Sequence, residues 1–187
     1  AFRAHLDRAM GILAALGLPF AVGTYFTATP LMEFVAGSAF APSGKILAVL
    51  GVAVMSIFFS AIFTHAVVAL QKQRLMLGGF ALGALVAGVG FVLLIPKYGG
   101  LGVAYSTLAA ELVVLIYSFT LVRRVTHYRP SAPMLVKIIG ATALMSGALF
   151  FLQGTHVLVM IGGVVVRYGV GLFLTRTVTR TQVQELF

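Results

Sequence analysis

The sequence predicts an all-α, polytopic membrane protein with six transmembrane helices, and three observations carry that prediction. The first is composition: 60% of the 187 residues are hydrophobic and only 9% are charged, with a mean hydropathy of +1.08. A soluble domain of this size exposes more surface than so few charged groups can cover. The second is arrangement. Long apolar runs alternate with short polar turns, and the 21 glycines are scattered through the runs, as membrane helices tolerate. A soluble β protein would gather them at turns between alternating segments. The third is the placement of basic residues, which fall almost entirely on one side of a six-span arrangement.

The spans are expected at about 9–35, 46–70, 75–95, 101–122, 134–152 and 157–174. A bilayer core near 30 Å asks for about 20 residues per helix, with roughly 17–25 as the usual range. The first span is long, and Pro19 and Pro30 imply kinks or a break within it. The second, third and fourth fit directly, as does the fifth. The sixth is short and contains Arg167. The turns Gln71-Lys72-Gln73-Arg74 and Gln153-Gly154-Thr155-His156 are too short to hold a domain outside the bilayer.

Charge sets the orientation. Arg3, Arg8, Lys72, Arg74, Arg123, Arg124, Arg129, Arg176 and Arg180 lie on one side, against Lys45 and Lys97 on the other. The heavily basic side is therefore expected in the cytoplasm, with both termini there. Lys137 and Arg167 fall within spans.

Composition also excludes function classes. Without cysteine, disulfides, thiol catalysis and cysteine-based metal sites are ruled out. A net charge of +9 might suggest nucleic acid as a partner, but the cations are dispersed between apolar stretches and form no dense tract. The first apolar run is too long for a secretory signal and lacks a clear cleavage site. The opening residues lack an initiator Met and lead straight into a helix, so a fragment boundary is one expectation there.

Residues 91–124 read FVLLIPKYGGLGVAYSTLAAELVVLIYSFTLVRR. This stretch resembles the flippases that move lipid-linked oligosaccharides for polysaccharide and O-antigen assembly, within the superfamily that also holds the peptidoglycan-precursor flippase and the multidrug and toxin extruders. Leu94-Ile95-Pro96-Lys97-Tyr98-Gly99 matches the end of one helix and its turn. Gly102-Val103-Ala104-Tyr105-Ser106-Thr107 with Glu111 matches the helix that follows. Leu18-Pro19-Phe20 and the stretch from Leu31 to Gly37, with Phe40-Ala41-Pro42-Ser43, agree more loosely. Phe91 stands where many relatives have asparagine, and Val103 replaces an alanine. The resemblance implies two six-helix lobes around a central cavity, with this chain as a carboxyl-terminal portion. It also implies a lipid-linked oligosaccharide as substrate, membrane lipids as surroundings, and a proton or sodium gradient as the driving force.

Four ionisable residues within spans are candidates for function. Glu111, midway along the fourth span, must be protonated, paired or turned to a polar cavity in lipid. It fits proton coupling or headgroup contact on one reading and a helix-packing hydrogen bond on the other. The planar fork of Arg167 suits a pyrophosphate-linked sugar, although snorkelling to the cytoplasmic headgroups is the stronger reading. Snorkelling also explains Lys137. His65 belongs to the class that changes charge near neutral pH, but no second ligand at short spacing accompanies it, so neither a metal nor a cofactor is expected. Gly79, Gly83 and Ala87 put a small-residue face on the third span, suited to close helix packing or to sliding during gating. The glycine-rich turn after Lys97 lacks the spacing and strand context of a phosphate loop.

Four functions compete: lipid-linked oligosaccharide flipping, export of small organic cations, membrane glycosyl transfer or polymer ligation, and a non-transporting assembly subunit. An enzyme of the third kind needs clustered carboxylates or histidines, or a sizeable external loop. Neither is evident, so the chain is read as a transporter and not as an enzyme.

Overall fold

The computed structural model describes residues 2–126 together with Gly140. Helix α1 spans Phe2–Ala36, α2 Ser43–Ala69, α3 Gln73–Tyr98 and α4 Gly100–Thr126, with a single 3-10 turn, Ser38–Phe40, between α1 and α2. A helix of 27 residues, as in α2 and α4, rises about 40 Å, more than the hydrocarbon core requires. By length and composition, all four are able to cross a membrane.

The expectation of six spans and two lobes is corrected. The described fold is all-α with four long apolar helices, joined in one continuous row with no division into lobes. The fifth and sixth spans, expected at 134–152 and 157–174, lie outside the described residues, as do Lys137 and Arg167. Both segments sit near the lower length limit of roughly 17 residues, where apolar composition is weakest as evidence for a crossing. Counting apolar windows scores each segment alone, without asking which neighbour it packs against.

The first four expected segments each coincide with one helix, which begins earlier in every case and runs further at its end in all but α2. Despite its two prolines, α1 is one helix from Phe2 to Ala36. Each proline removes one hydrogen bond, to the carbonyl four residues earlier, and leaves the remaining ladder able to carry the helix onward. The expected break does not occur.

The helices lie in the order α1, α2, α4, α3. Neighbours in this row pack extensively, whereas α2 and α3 touch only slightly. Each hairpin is closed by glycine. In α1–α2, a Cβ on Gly44 would collide with the Thr29 backbone, and one on Gly51 would sit 2.8 Å from Thr24 Cγ2. In α3–α4, Gly79 meets Tyr117, Gly83 meets Val114, Gly90 meets Ser106, and Gly102 meets the Leu94 carbonyl. These pairs step in opposite directions along the two helices, as an antiparallel hairpin demands. Between the hairpins, Ile46 approaches Gly100 and Phe63 meets Phe119 edge to face at 5.2 Å, so α2 and α4 run parallel.

All four helices meet at the basic end. Leu6 and Met10 of α1, Ile62, Phe63, Ala66 and Val67 of α2, Met76 of α3 and Val122 of α4 form one buried cluster there. The opposite end turns more loosely through Gly37, whose φ of 92° favours glycine.

Candidate functional site

Glu111 lies near the middle of α4, on a helix whose packing is set by small residues. Gly102, Ser106, Ala110, Val114, Ser118 and Val122 are buried along one row at a spacing of four, the spacing that stacks side chains along one stripe of a helix. Gly83 lets α3 press against this row. A Cβ there would sit 2.6 Å from Val114 Cγ2 and 3.5 Å from the Ala110 carbonyl. Glu111 is one position further round than Ala110, about 100° away, and is half-buried. The Ile46–Gly100 and Phe63–Phe119 contacts bracket it, so Ser56 of α2 lies at nearly the same depth.

The hydroxyls nearby are already committed. Ser56 donates to the Val52 carbonyl at 3.1 Å, Ser60 to Ile57 at 3.0 Å, Ser106 to Gly102 at 2.7 Å and Ser118 to Leu115 at 3.0 Å. Each bond stays within its own helix, so these side chains satisfy themselves without bridging to a neighbour. No hydrogen bond or ion pair reaches the Glu111 carboxyl among the described residues. A carboxyl at mid-depth without a partner among the described residues has a strong chemical preference for a proton, a cation or a hydrogen-bonding ligand.

His65 does not join it. It is exposed on α2, two residues beyond the Phe63 that meets Phe119 of α4. The parallel register therefore separates it from Glu111 by about 14 Å along the axis. Arg167 lies outside the described residues. The small face expected from Gly79, Gly83 and Ala87 is present in part: Gly79 and Gly83 are buried against α4, while Ala87 is half-buried. Gly90 continues the seam instead.

Two features of the site escaped the sequence reading. One is the row from Gly102 to Val122, whose fourfold spacing of small residues was the available signal. The other is Tyr117, whose ring covers Gly79 and whose hydroxyl donates to the Leu75 carbonyl at 2.9 Å, tying α4 to α3. A tyrosine within an apolar span, with a Gly-Gly pair in the preceding helix, was the clue. The glycine-rich turn proves shorter than expected. Helix α3 runs through Pro96 to Tyr98, and Gly99, with φ of 56°, alone separates it from α4.

The fold has a counterpart among solved structures. The lipid II flippase MurJ, in an inward closed conformation, superposes with a TM-score of 0.83 at 19% sequence identity. The match covers 96% of this chain and 40% of that one, so the chain spans two fifths of the flippase's length. At this identity the likeness establishes a shared fold. No protein-family model matches the chain, and no curated protein does.

Proposed function

We propose that this chain is part of an inner-membrane transporter that flips a lipid-linked oligosaccharide toward the outer leaflet for cell-surface polysaccharide assembly. The observation that carries this reading is the fold likeness, which extends over 96% of the chain, to a protein that flips lipid II. The 91–111 phrase supports it, as it lies in the α3–α4 hairpin whose glycines set the close packing. In this reading the basic end faces the cytoplasm, and the chain supplies a carboxyl-terminal portion of the transporter.

The chemistry of the task is to carry a polar headgroup through the bilayer while its lipid tail stays in hydrocarbon. Glu111 offers a mid-depth acceptor for sugar hydroxyls, or a site for the proton or sodium ion that drives the cycle. Arg167 offers a planar fork for the phosphates. His65, near the basic end, is a candidate for coupling rather than for contact with a substrate held at Glu111.

The test is flipping by the intact gene product in vesicles, with labelled lipid-linked oligosaccharide and leaflet accessibility as readout. The wild-type protein is expected to exceed protein-free vesicles. Glu111→Gln keeps an acceptor oxygen but removes the charge and the exchangeable proton, and is expected to slow flipping about tenfold or more without reducing membrane insertion. Export of an organic cation in place of flipping would replace this reading with the multidrug one. Unchanged flipping by the Gln variant would return Glu111 to a packing role.

A further inference from the structure

The basic end of the α3–α4 hairpin carries four cations with no partner among the described residues. Lys72 and Arg74 lie at the start of α3, and Arg123 and Arg124 in the last turn of α4. All four are exposed. None of their side chains makes a hydrogen bond or ion pair among the described residues.

The hairpin register brings them to one level. Tyr117 bonds the Leu75 carbonyl and packs on Gly79, which sets the end of α4 beside the start of α3, one interhelical distance of about 8–10 Å away. The Tyr117 ring fills the space that a side chain at Gly79 would need. The four cationic residues therefore lie at one level of the hairpin. Asp7 is the carboxylate at this end among the described residues, and it already has a contact of its own.

The positive-inside bias accounts for all four cations lying at this end, but helix electrostatics favour only two of them. Arg123 and Arg124 complement the negative end of the α4 dipole. Lys72 and Arg74 sit at the positive end of α3, where a cation is unfavourable, and no acidic residue occupies that first turn. An anion at this corner would relieve both problems. Directly along the hairpin from the cations, Leu77, Phe80 and Ile116 are exposed, giving an apolar surface next to the charged rim.

The geometry points to a binding surface for an anionic phospholipid, with its phosphate on Lys72, Arg74, Arg123 and Arg124 and its acyl chains along Leu77, Phe80 and Ile116. This surface is separate from Glu111 and does not depend on what is transported. A lipid suits it better than free phosphate does, since the cations adjoin an apolar face and not a closed polar pocket.

The test is native mass spectrometry of the full chain, released from detergent with equal amounts of phosphatidylglycerol and phosphatidylcholine. The wild type is expected to retain phosphatidylglycerol preferentially. Each neutralised cation is expected to weaken that retention about fivefold, so Arg123→Gln with Arg124→Gln should lose about 25-fold, and adding Lys72→Gln and Arg74→Gln should abolish the preference. Lys45→Gln with Lys97→Gln, at the opposite end, should leave it intact. Thermal melting in phosphatidylcholine reports folding, and the double variant serves if the fourfold variant does not fold. Wild-type retention by the double variant, or equal loss in the Lys45/Lys97 control, would overturn the proposal. So would displacement of the lipid by glycerol 3-phosphate as readily as by short-chain phosphatidylglycerol, which would identify a free-phosphate site.

Discussion

Helices α2 and α3 have nearly the same length, 27 and 26 residues, and both are apolar enough to cross a membrane. Their surroundings differ sharply. Helix α2 lies between α1 and α4 and buries ten residues, from Gly44 to Val67. Helix α3 lies at the edge of the row and buries Met76, Gly79 and Gly83. Leu77, Leu85 and Val92, all more than 60% exposed, show how open its outer surface is. Apolarity brings a helix into the bilayer, because backbone and side chains must both be satisfied there. It does not say which face meets protein. In both helices that face is marked by residues small enough for a neighbouring backbone to come close.

The sharpest test of this contrast is truncation in each helix. Phe63→Ala removes a buried ring of α2 from its edge-to-face contact with Phe119 and is expected to cost about 3–5 kcal/mol. Leu85→Ala on α3 removes an exposed side chain and is expected to stay within about 0.5 kcal/mol. Reversible unfolding in detergent micelles measures both. Equal losses would mean that α3 is as enclosed as α2.

Glycine substitutions give the next largest effect. Gly44→Ala and Gly102→Ala each force a methyl into a neighbouring backbone, and each should cost about 1–3 kcal/mol in the same unfolding measurement. Gly88→Ala meets no atom within 4 Å and should leave stability unchanged or raise it by up to about 1 kcal/mol. A loss at Gly88 comparable to that at Gly102 would show that glycine is needed in α3 for flexibility rather than for contact.

The smallest effect concerns the link between α3 and α4. Tyr117→Phe keeps the ring on Gly79 and removes only the bond to the Leu75 carbonyl. The expected loss is about 0.6 kcal/mol, the usual size for a hydrogen bond between membrane helices. A loss several times larger would make this bond, and not the glycine seam, the main lock of the hairpin.

The positions of the first four spans were legible because hydropathy and charge placement are local properties. The turn at Lys97–Gly102 was legible as a turn, though its reduction to Gly99 depends on how closely Gly102 approaches Leu94. The row order was not legible. It places α4 between α2 and α3, which follows from small residues on several helices that only three dimensions align. The same limit applies to the candidate site. Glu111 stood out as a carboxylate within an apolar run, but its separation from His65 follows from the parallel register of α2 and α4. The count of six spans is cut back to the four long apolar helices among the described residues.

In the proposed reading, α1–α4 cross the membrane as two hairpins with their basic ends together in the cytoplasm. Site-directed labelling tests it most directly, since the sequence has no cysteine of its own. Single cysteines at Lys72 and Thr126 are expected to react with an impermeant reagent only from the cytoplasmic side, and those at Ser38 and Lys97 only from outside. Labelling of the Ser38 and Lys72 positions from the same side would remove α2 as a membrane crossing and contradict the account.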